Sequence, residues 1–375
     1  MHDSWSPPAR GAIESSSHRR NTTIDILRGY CIVAMIASHT STSSVVNQVL
    51  HPLRFVSGAE GFVFLSGLVL GLVYRRRLET SGLPQAARGL LRRALQIWGI
   101  HCVTVLAAAV ASAYWMGYAD IPDIREVGLA RYLGLTATLR LQPGHMLNIL
   151  PMYVVFLAAA PLLLAALSHG LALPLLAAST ALFAYTQWHP EFGSWVHPLS
   201  GGDAFPPAAW QFLFVPGMVA GYHYGWLRDH VVAPARRPLR IGLGALTLAT
   251  IVMVSVQTPT IELYNHTAWD AFLWERHPLR FGRVLYFLVS VAACYLWVQH
   301  LQAQRWRPLM PFRLLETLGR NSLYSFLVHL VVGLAVGMVV SHPAHPVTTE
   351  AVPLVTICLV YGMARCQVLR RWIPN

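Results

Sequence analysis

The feature that most constrains this chain is a series of apolar runs, each near 20 residues, separated by short segments rich in arginine. A helix rises about 1.5 Å per residue, so a bilayer core of roughly 30 Å takes about 20 apolar residues to cross. Ten stretches qualify, near 24–44, 56–74, 94–117, 147–167, 171–187, 209–227, 240–257, 281–300, 318–340 and 350–368. Of the 375 residues, 55% are hydrophobic and 12% are charged. That charged share is about half that of a soluble domain. It excludes a disordered chain and argues against a water-soluble globule. The expected fold class is an all-α integral membrane protein with about ten transmembrane helices, and the expected partner is a lipid bilayer.

Charge supplies the orientation. There are 28 basic residues against 16 acidic, a net charge of +12, and every basic residue is an arginine. A nucleic-acid binder is also basic but not this apolar, so no nucleic-acid partner is expected. With the N-terminus inside, the cytoplasmic segments hold 20 arginines. The outer segments hold 7, namely Arg54, Arg125, Arg131, Arg140, Arg276, Arg280 and Arg283, and Arg28 lies within the first stretch. This split fits the positive-inside rule with both termini cytoplasmic. Residues 1–22 lack the apolar core of a signal peptide and read as a disordered cytoplasmic tail, and 23–375 as one polytopic membrane domain. The five cysteines, at 31, 102, 294, 358 and 366, have no CxxC spacing and read as packing residues rather than a disulfide framework or metal site.

The longest outer loop, 118–146, contains Ile124 to Leu139, which read as an interfacial amphipathic helix. The loops 188–208 and 258–280 carry Trp188, Trp195, Trp269 and Trp274 among acids, amides and imidazoles. That mixture suits a sugar, whose apolar faces stack on indole, and it equally suits an interfacial aromatic belt.

Ionisable groups at membrane depth are costly, so each one is a functional candidate by default. In the first stretch Arg28 and His39 are 11 residues apart. That spacing is almost three helical turns, so both project from one face, roughly 16 Å apart along the axis. Asp25 stands three residues before Arg28 and is expected to pair with it. Glu60 begins the second stretch and is expected near the depth of His39. There it would accept a hydrogen bond, fix the imidazole tautomer and raise its basicity. The same charges also read as an interfacial ion pair and a satisfied buried histidine. Ser66 and Gly67, in Phe-Leu-Ser-Gly, let another helix approach closely. Ser322, Ser325 and His329 form one polar stripe on the ninth stretch, suited to line a cavity or bind a neighbouring helix.

The spacing of Arg28 and His39 resembles the Arg-X10-His signature of the acyltransferase-3 membrane superfamily. Within it the chain is most similar to the OpgC family, linked to succinylation of osmoregulated periplasmic glucans. The resemblance rests on Asp25-Ile-Leu-Arg28-Gly, Glu60 to Gly67, Leu147 to Tyr153, Trp210 to Phe214 and Ser322 to His329. It implies a ten-helix fold in the bacterial inner membrane, acyl-CoA as a cytoplasmic donor substrate, no bound cofactor, and a glycan or glucan acceptor outside. It implies His39 as the catalytic residue, with Glu60 in the acidic position before Phe-Leu-Ser-Gly and Arg28 as the charge on the donor side. No further domain is expected after the tenth stretch, so transfer would be completed within the membrane domain.

On that reading the coenzyme phosphates meet Arg28 with Asp25 beside it, Arg75 and Arg76, because a guanidinium donates two parallel hydrogen bonds to phosphate. The arginine clusters read equally well as topology alone. His39, oriented by Glu60, takes a proton from a sugar hydroxyl, or else carries the acyl group itself. Ser66, Asn148, Ser322, Tyr324 and His329 are the helix-lining and oxyanion candidates. A transporter or flippase of a small anion or lipid-linked sugar is the alternative, since intramembrane charges serve it too. Pro151, Pro161 and Pro216 would then supply broken helices. A non-catalytic membrane scaffold or sensor is a further rival.

Overall fold

The computed structural model describes residues 21–51, 56–114, 121–141, 147–196, 205–233, 272–275, 279–304, 309–339 and 346–368, with scattered positions between 238 and 248. Residues 1–20 of the expected tail 1–22, most of the stretch 240–257, and most of the tryptophan-bearing loop 258–280 lie outside the described residues, while Asn21 and Thr22 cap and begin the first helix instead of belonging to a tail. So does part of the loop 188–208, at 197–204.

Among the described residues there are helices and no strands. α1 (Thr22–Thr40) is followed by α2 (Val45–Leu50) and the long α3 (Gly58–Tyr114). Next come α4 (Ile124–Val127), α5 (Leu129–Ala137), α6 (Ile149–Ser168), α7 (Ala172–Trp188), α8 (Pro207–Tyr222) and the short α9 (Tyr224–Leu227). α10 (Phe281–Ala303), α11 (Met310–Arg320), α12 (Ser322–Val339) and α13 (Pro346–Cys366) complete the chain. The amphipathic helix expected from Ile124 is present as α4 and α5, divided at Gly128. Pro161 and Pro216 sit inside α6 and α8 without ending them. Pro151 falls in the first turn of α6, where an N–H has no intrahelical partner anyway.

Among the described residues, four helices are long and apolar enough to cross a membrane: α3, α6, α10 and α13, or five if α11 and α12 form one broken span. Ten were expected; the stretch 240–257 lies mostly outside the described residues, and the others differ for local causes. α3 alone contains both the second and the third stretch, because the arginine segment between them stays helical and does not form a loop. Gly82 divides its two arms at φ 77° and ψ 166°, backbone essentially open only to glycine. α7 and α8, at 17 and 16 residues, are shorter than a bilayer core requires. α1 spends three of its 19 positions on Asp25, Arg28 and His39.

The first arm of α3 is the hub, and glycine brings its neighbours in. A Cβ on Gly67 or Gly71 would land on the carbonyl oxygen of Phe214 or Met218 of α8. A Cβ on Gly217 or Gly221 would land on that of Phe64 or Leu68 of α3. Each helix thus offers a Gly-x-x-x-Gly face to the other, the close approach that small residues permit where no hydrophobic force separates protein from lipid. The pairing of 67 with 214 and 71 with 218 makes these two helices parallel. α1 runs the other way, since Gly58 abuts Cys31 and Met35 while Gly61 abuts Cys31. Ring contacts add α6 and α12: Phe62 lies 6.1 Å from Tyr153 and stacks on Phe326 at 4.8 Å.

α11 and α12 meet at 95°. The carbonyls freed by this bend are satisfied locally. Asn321 donates from N and from Nδ2 to Thr317 O at 3.3 and 3.0 Å, and Ser325 Oγ donates to Leu318 O at 3.1 Å. Ser325, read from the sequence as part of a polar stripe, therefore serves the bend. A Cβ on Gly319 would strike the Asp25 carbonyl, so α11 lies directly on α1.

The α3–α8 seam makes a prediction. Gly221→Val forces the seam apart and costs roughly 1–3 kcal/mol, the usual range for overpacking. Gly225→Ala, whose Cβ would meet nothing within 4 Å, serves as the control. The thermal unfolding midpoint in detergent should fall for the first and stay near wild type for the second.

Candidate functional site

The site is built on the first turn of α3. Ser57-Gly58-Ala59-Glu60 resembles a capping box, with Glu60 reaching back to the Ser57 N–H while the Ser57 hydroxyl takes the N–H of Ala59 rather than that of Glu60. Ser57 Oγ accepts from Ala59 N at 3.3 Å, and Glu60 Oε2 accepts from Ser57 N at 2.9 Å and from Ser57 Oγ. The other oxygen, Oε1, accepts from Arg283 Nε at 2.5 Å. Arg283 belongs to the first turn of α10. The Glu60 side chain is 0% exposed and that of Arg283 8%, so the pair is buried. Burying either charge alone would be far more costly than burying both.

Sequence reasoning counted Arg283 only among the outer arginines and missed it as the partner of Glu60. The available signal was that both charges open apolar stretches on the side where the positive-inside rule disfavours arginine. Ser57 was missed as well, although Ser-x-x-Glu before an apolar run is a helix-start pattern.

Two imidazoles meet between α1 and α12. His39 Nδ1 lies 3.1 Å from His329 Nε2, and whichever nitrogen carries the proton donates it. The rings are stacked with centroids 5.3 Å apart. His329 is buried, with Phe326 packed edge-on against it. His39 stands one turn beyond Met35, which abuts Gly58, and His329 one turn beyond Phe326, which stacks on Phe62. Glu60 lies between Gly58 and Phe62. The imidazole pair thus links α1 to α12, which also meets α3 where Phe326 stacks on Phe62. The chain after His39 doubles back along α1. Tyr30 donates to Leu50 O at 2.7 Å, and the start of α2 is held by Glu350, which accepts from Val45 N at 2.7 Å.

A second charged cluster lies toward the Asn21 end of α1. Asp25 and Arg28 are both buried. Asp25, expected to pair with Arg28, is approached by Arg320 of α11 at 4.0 Å, and Arg320 also holds Glu316 at 3.1 Å. Arg75 donates to Tyr222 O at 2.7 Å and pairs with Glu79 at 3.0 Å. It thus closes the C-terminal end of α8, where unpaired carbonyls carry partial negative charge. Arg76 is exposed beside it.

The remaining candidates divide. Ser66 Oγ and Asn148 Oδ1 are buried and have no hydrogen-bond partner among the described residues. Ser322 is buried at the start of α12. Tyr324 turns away from the imidazoles, its hydroxyl donating to Met363 O at 3.2 Å and to Val368 O, so it ties α12 to α13. Among the described residues no group of three His, Cys, Asp or Glu side chains is placed to hold a metal ion.

Fold and site together define an all-helical, multi-pass membrane protein whose polar groups converge inside the bundle. The model of the OpgC protein family matches residues 20–372, nearly the whole chain. The chain belongs to the OpgC family. Family membership points to a glucan-modifying, acyltransferase-like role. No curated protein and no solved structure gives a significant match.

The buried ion pair predicts non-additivity. Glu60→Gln or Arg283→Met alone strands a partner and should cost about 3–5 kcal/mol. The double variant should cost clearly less than the sum of the two, read as a coupling energy from unfolding in detergent. Strict additivity would mean that the pair carries no interaction.

Proposed function

We propose that this chain is a membrane O-acyltransferase. It moves an acyl group from cytoplasmic acyl-CoA to a hydroxyl of a periplasmic or cell-envelope glycan, from a ten-span domain in the bacterial inner membrane with both termini cytoplasmic. The observation that carries this reading is the contact between His39 Nδ1 and His329 Nε2. An imidazole acts as a base through the nitrogen left bare when its other nitrogen carries the proton. If His39 Nδ1–H donates to His329 Nε2, the lone pair of His39 Nε2 is presented for chemistry. His329 then does for His39 what a carboxylate does in a hydrolase triad: it fixes tautomer and ring orientation.

The step is written as follows. His39 Nε2 takes the proton of the sugar hydroxyl as its oxygen attacks the thioester carbonyl carbon. The C–O bond forms, the C–S bond breaks, and the departing thiolate receives the proton from the His39 imidazolium. Glu60 and Arg283 hold the starts of α3 and α10 together. Asn148 and Ser322 are the candidates to donate to the developing oxyanion, and Ser66 lines the path. Arg28, flanked by Asp25, meets the donor on the cytoplasmic side with Arg75 and Arg76. Arg75 already spends one Nη donor on Tyr222 O, whereas Arg76 beside it is exposed.

The bend between α11 and α12 also suits a transporter, since half-helices frame transport sites. Counterflow of a glycan or anion in proteoliposomes lacking acyl-CoA would favour that reading.

The test is substitution with insertion verified. His39→Ala should lower acyl modification of envelope glycans, read by mass spectrometry, by about 10²–10⁴-fold, the range of general base catalysis. His329→Ala should lower it less, and His329→Gln, which keeps an acceptor oxygen, should recover part of the loss. Full modification by the His39→Ala protein would remove the base assignment.

A further inference from the structure

α11 carries three charges in 11 residues, yet it joins a helix that belongs in hydrocarbon. α12 has 18 residues, about 27 Å of helix, so it nearly crosses a bilayer core by itself. α11 meets it at 95°. An α12 that stands across the bilayer therefore lays α11 along the membrane plane.

α1 and α10 set the depth of that helix. Gln302 donates to Thr22 Oγ1 at 3.0 Å and accepts from Thr23 Oγ1 at 2.8 Å, so the end of α10 and the start of α1 share one end of the bundle. α11 crosses α1 at Asp25 and Gly29, where a Cβ on Gly319 or Gly29 would strike the backbone of the other helix. Those positions lie one to two turns, about 5–10 Å, in from that end. An interfacial helix seats its apolar face at this depth, where headgroups give way to acyl chains.

The two sides of α11 differ. Leu318 and Gly319 are buried, and Leu315 meets Gly29. On the opposite side Met310 is 66% exposed, Arg313 is exposed and the Arg320 side chain is 48% exposed. These three fall at i, i+3 and i+10, which is one helical face, with the two guanidiniums two turns apart. Arg320 holds Glu316 at 3.1 Å and lies 4.0 Å from Asp25. The Arg313 side chain makes no hydrogen bond or ion pair with any described residue.

We propose that α11 binds an anionic phospholipid. Met310 enters the acyl-chain boundary, and Arg313, with Arg320 beside it, holds the headgroup phosphate. A guanidinium presents two parallel N–H donors to phosphate oxygens. Glu316 is turned inward and neutralised by Arg320, so the open face is positive. That face repels the cationic group of a zwitterionic lipid and selects a headgroup of net negative charge. α11 ends at the bend held by Asn321, and His329 follows two turns later. A lipid on α11 thus steadies the helix that brings His329 to His39.

The experiment needs no acyltransfer assay, so it stands apart from the reading above. Full-length protein in neutral detergent is titrated with phosphatidylglycerol or phosphatidylcholine, bound lipid is read by native mass spectrometry, and the thermal midpoint is followed in nanodiscs of each lipid. Wild type should bind phosphatidylglycerol more tightly and unfold at a higher temperature with it. Arg313→Gln should weaken phosphatidylglycerol binding about fivefold, the weight of one basic residue at an anionic surface, and leave phosphatidylcholine binding unchanged. Arg131→Gln, which removes an exposed arginine on α5, should leave both unchanged. Equal losses in the two variants would mean general charge attraction and overturn the proposal. So would a wild type that does not distinguish the lipids. Glycerol phosphate that displaces phosphatidylglycerol and gives the same thermal shift would make this a site for soluble phosphates and overturn the lipid assignment. Should Arg313→Gln fail to insert, Glu316→Gln decides. It removes a negative charge and releases Arg320, so phosphatidylglycerol should bind more tightly, and unchanged or weaker binding counts against the proposal.

Discussion

A carboxylate and a guanidinium buried together in an apolar bundle set the conditions for everything around them. Glu60 spends one oxygen on Arg283 and the other on Ser57, so a single side chain caps α3 and fastens α10 to it. In a medium that cannot supply water, each of these groups is tolerable only because the other is present. Helix starts, normally places of unpaired N–H groups, become an anchored edge of the site.

Close backbone approach does the rest. Gly67, Gly71, Gly217 and Gly221 let α3 and α8 touch along their length, and Gly29 and Gly319 let α11 rest on α1. Apolar side chains gain little by leaving lipid for protein, so helices in a membrane are held by packing and by polar links. The glycine seams supply the packing here, and the polar links are few and specific. The bend at Asn321 follows the same logic. Its freed carbonyls are met by Asn321 and Ser325, and the turn of α12 that follows carries His329 to His39.

Particular residues show how far the sequence could be read. Arg28 and His39 announced themselves because charge within an apolar run is rare and costly. Glu60 was conspicuous for the same reason, yet one partner escaped the reading: Arg283, 223 positions away in the chain, packs against it. At Asp25 the reading named its near neighbour Arg28 and had no means of naming Arg320, which comes in from α11 at 4.0 Å. Tyr324 was taken for a possible oxyanion donor and instead binds carbonyls of α13 and the segment after it. The stretch between 75 and 93 looked like a loop because it is polar, but polarity outside the apolar core does not stop a helix, and only Gly82 breaks it.

The sequence by itself determined the solvent, the helical class, the family resemblance and the short list of charged residues. These follow from local quantities: apolar run length, residue spacing, and the cost of a charge in hydrocarbon. The tertiary structure alone decided which charges meet. It set Arg283 against Glu60, stacked His329 on His39, and turned Arg75 to the end of α8. Those pairings depend on which helices touch and at what register. Register in turn depends on glycine contacts between segments about 150 residues apart, such as Gly67 with Phe214 and Gly71 with Met218. Periodicity along one helix marks which of its faces is polar, but only the packed bundle specifies what that face meets.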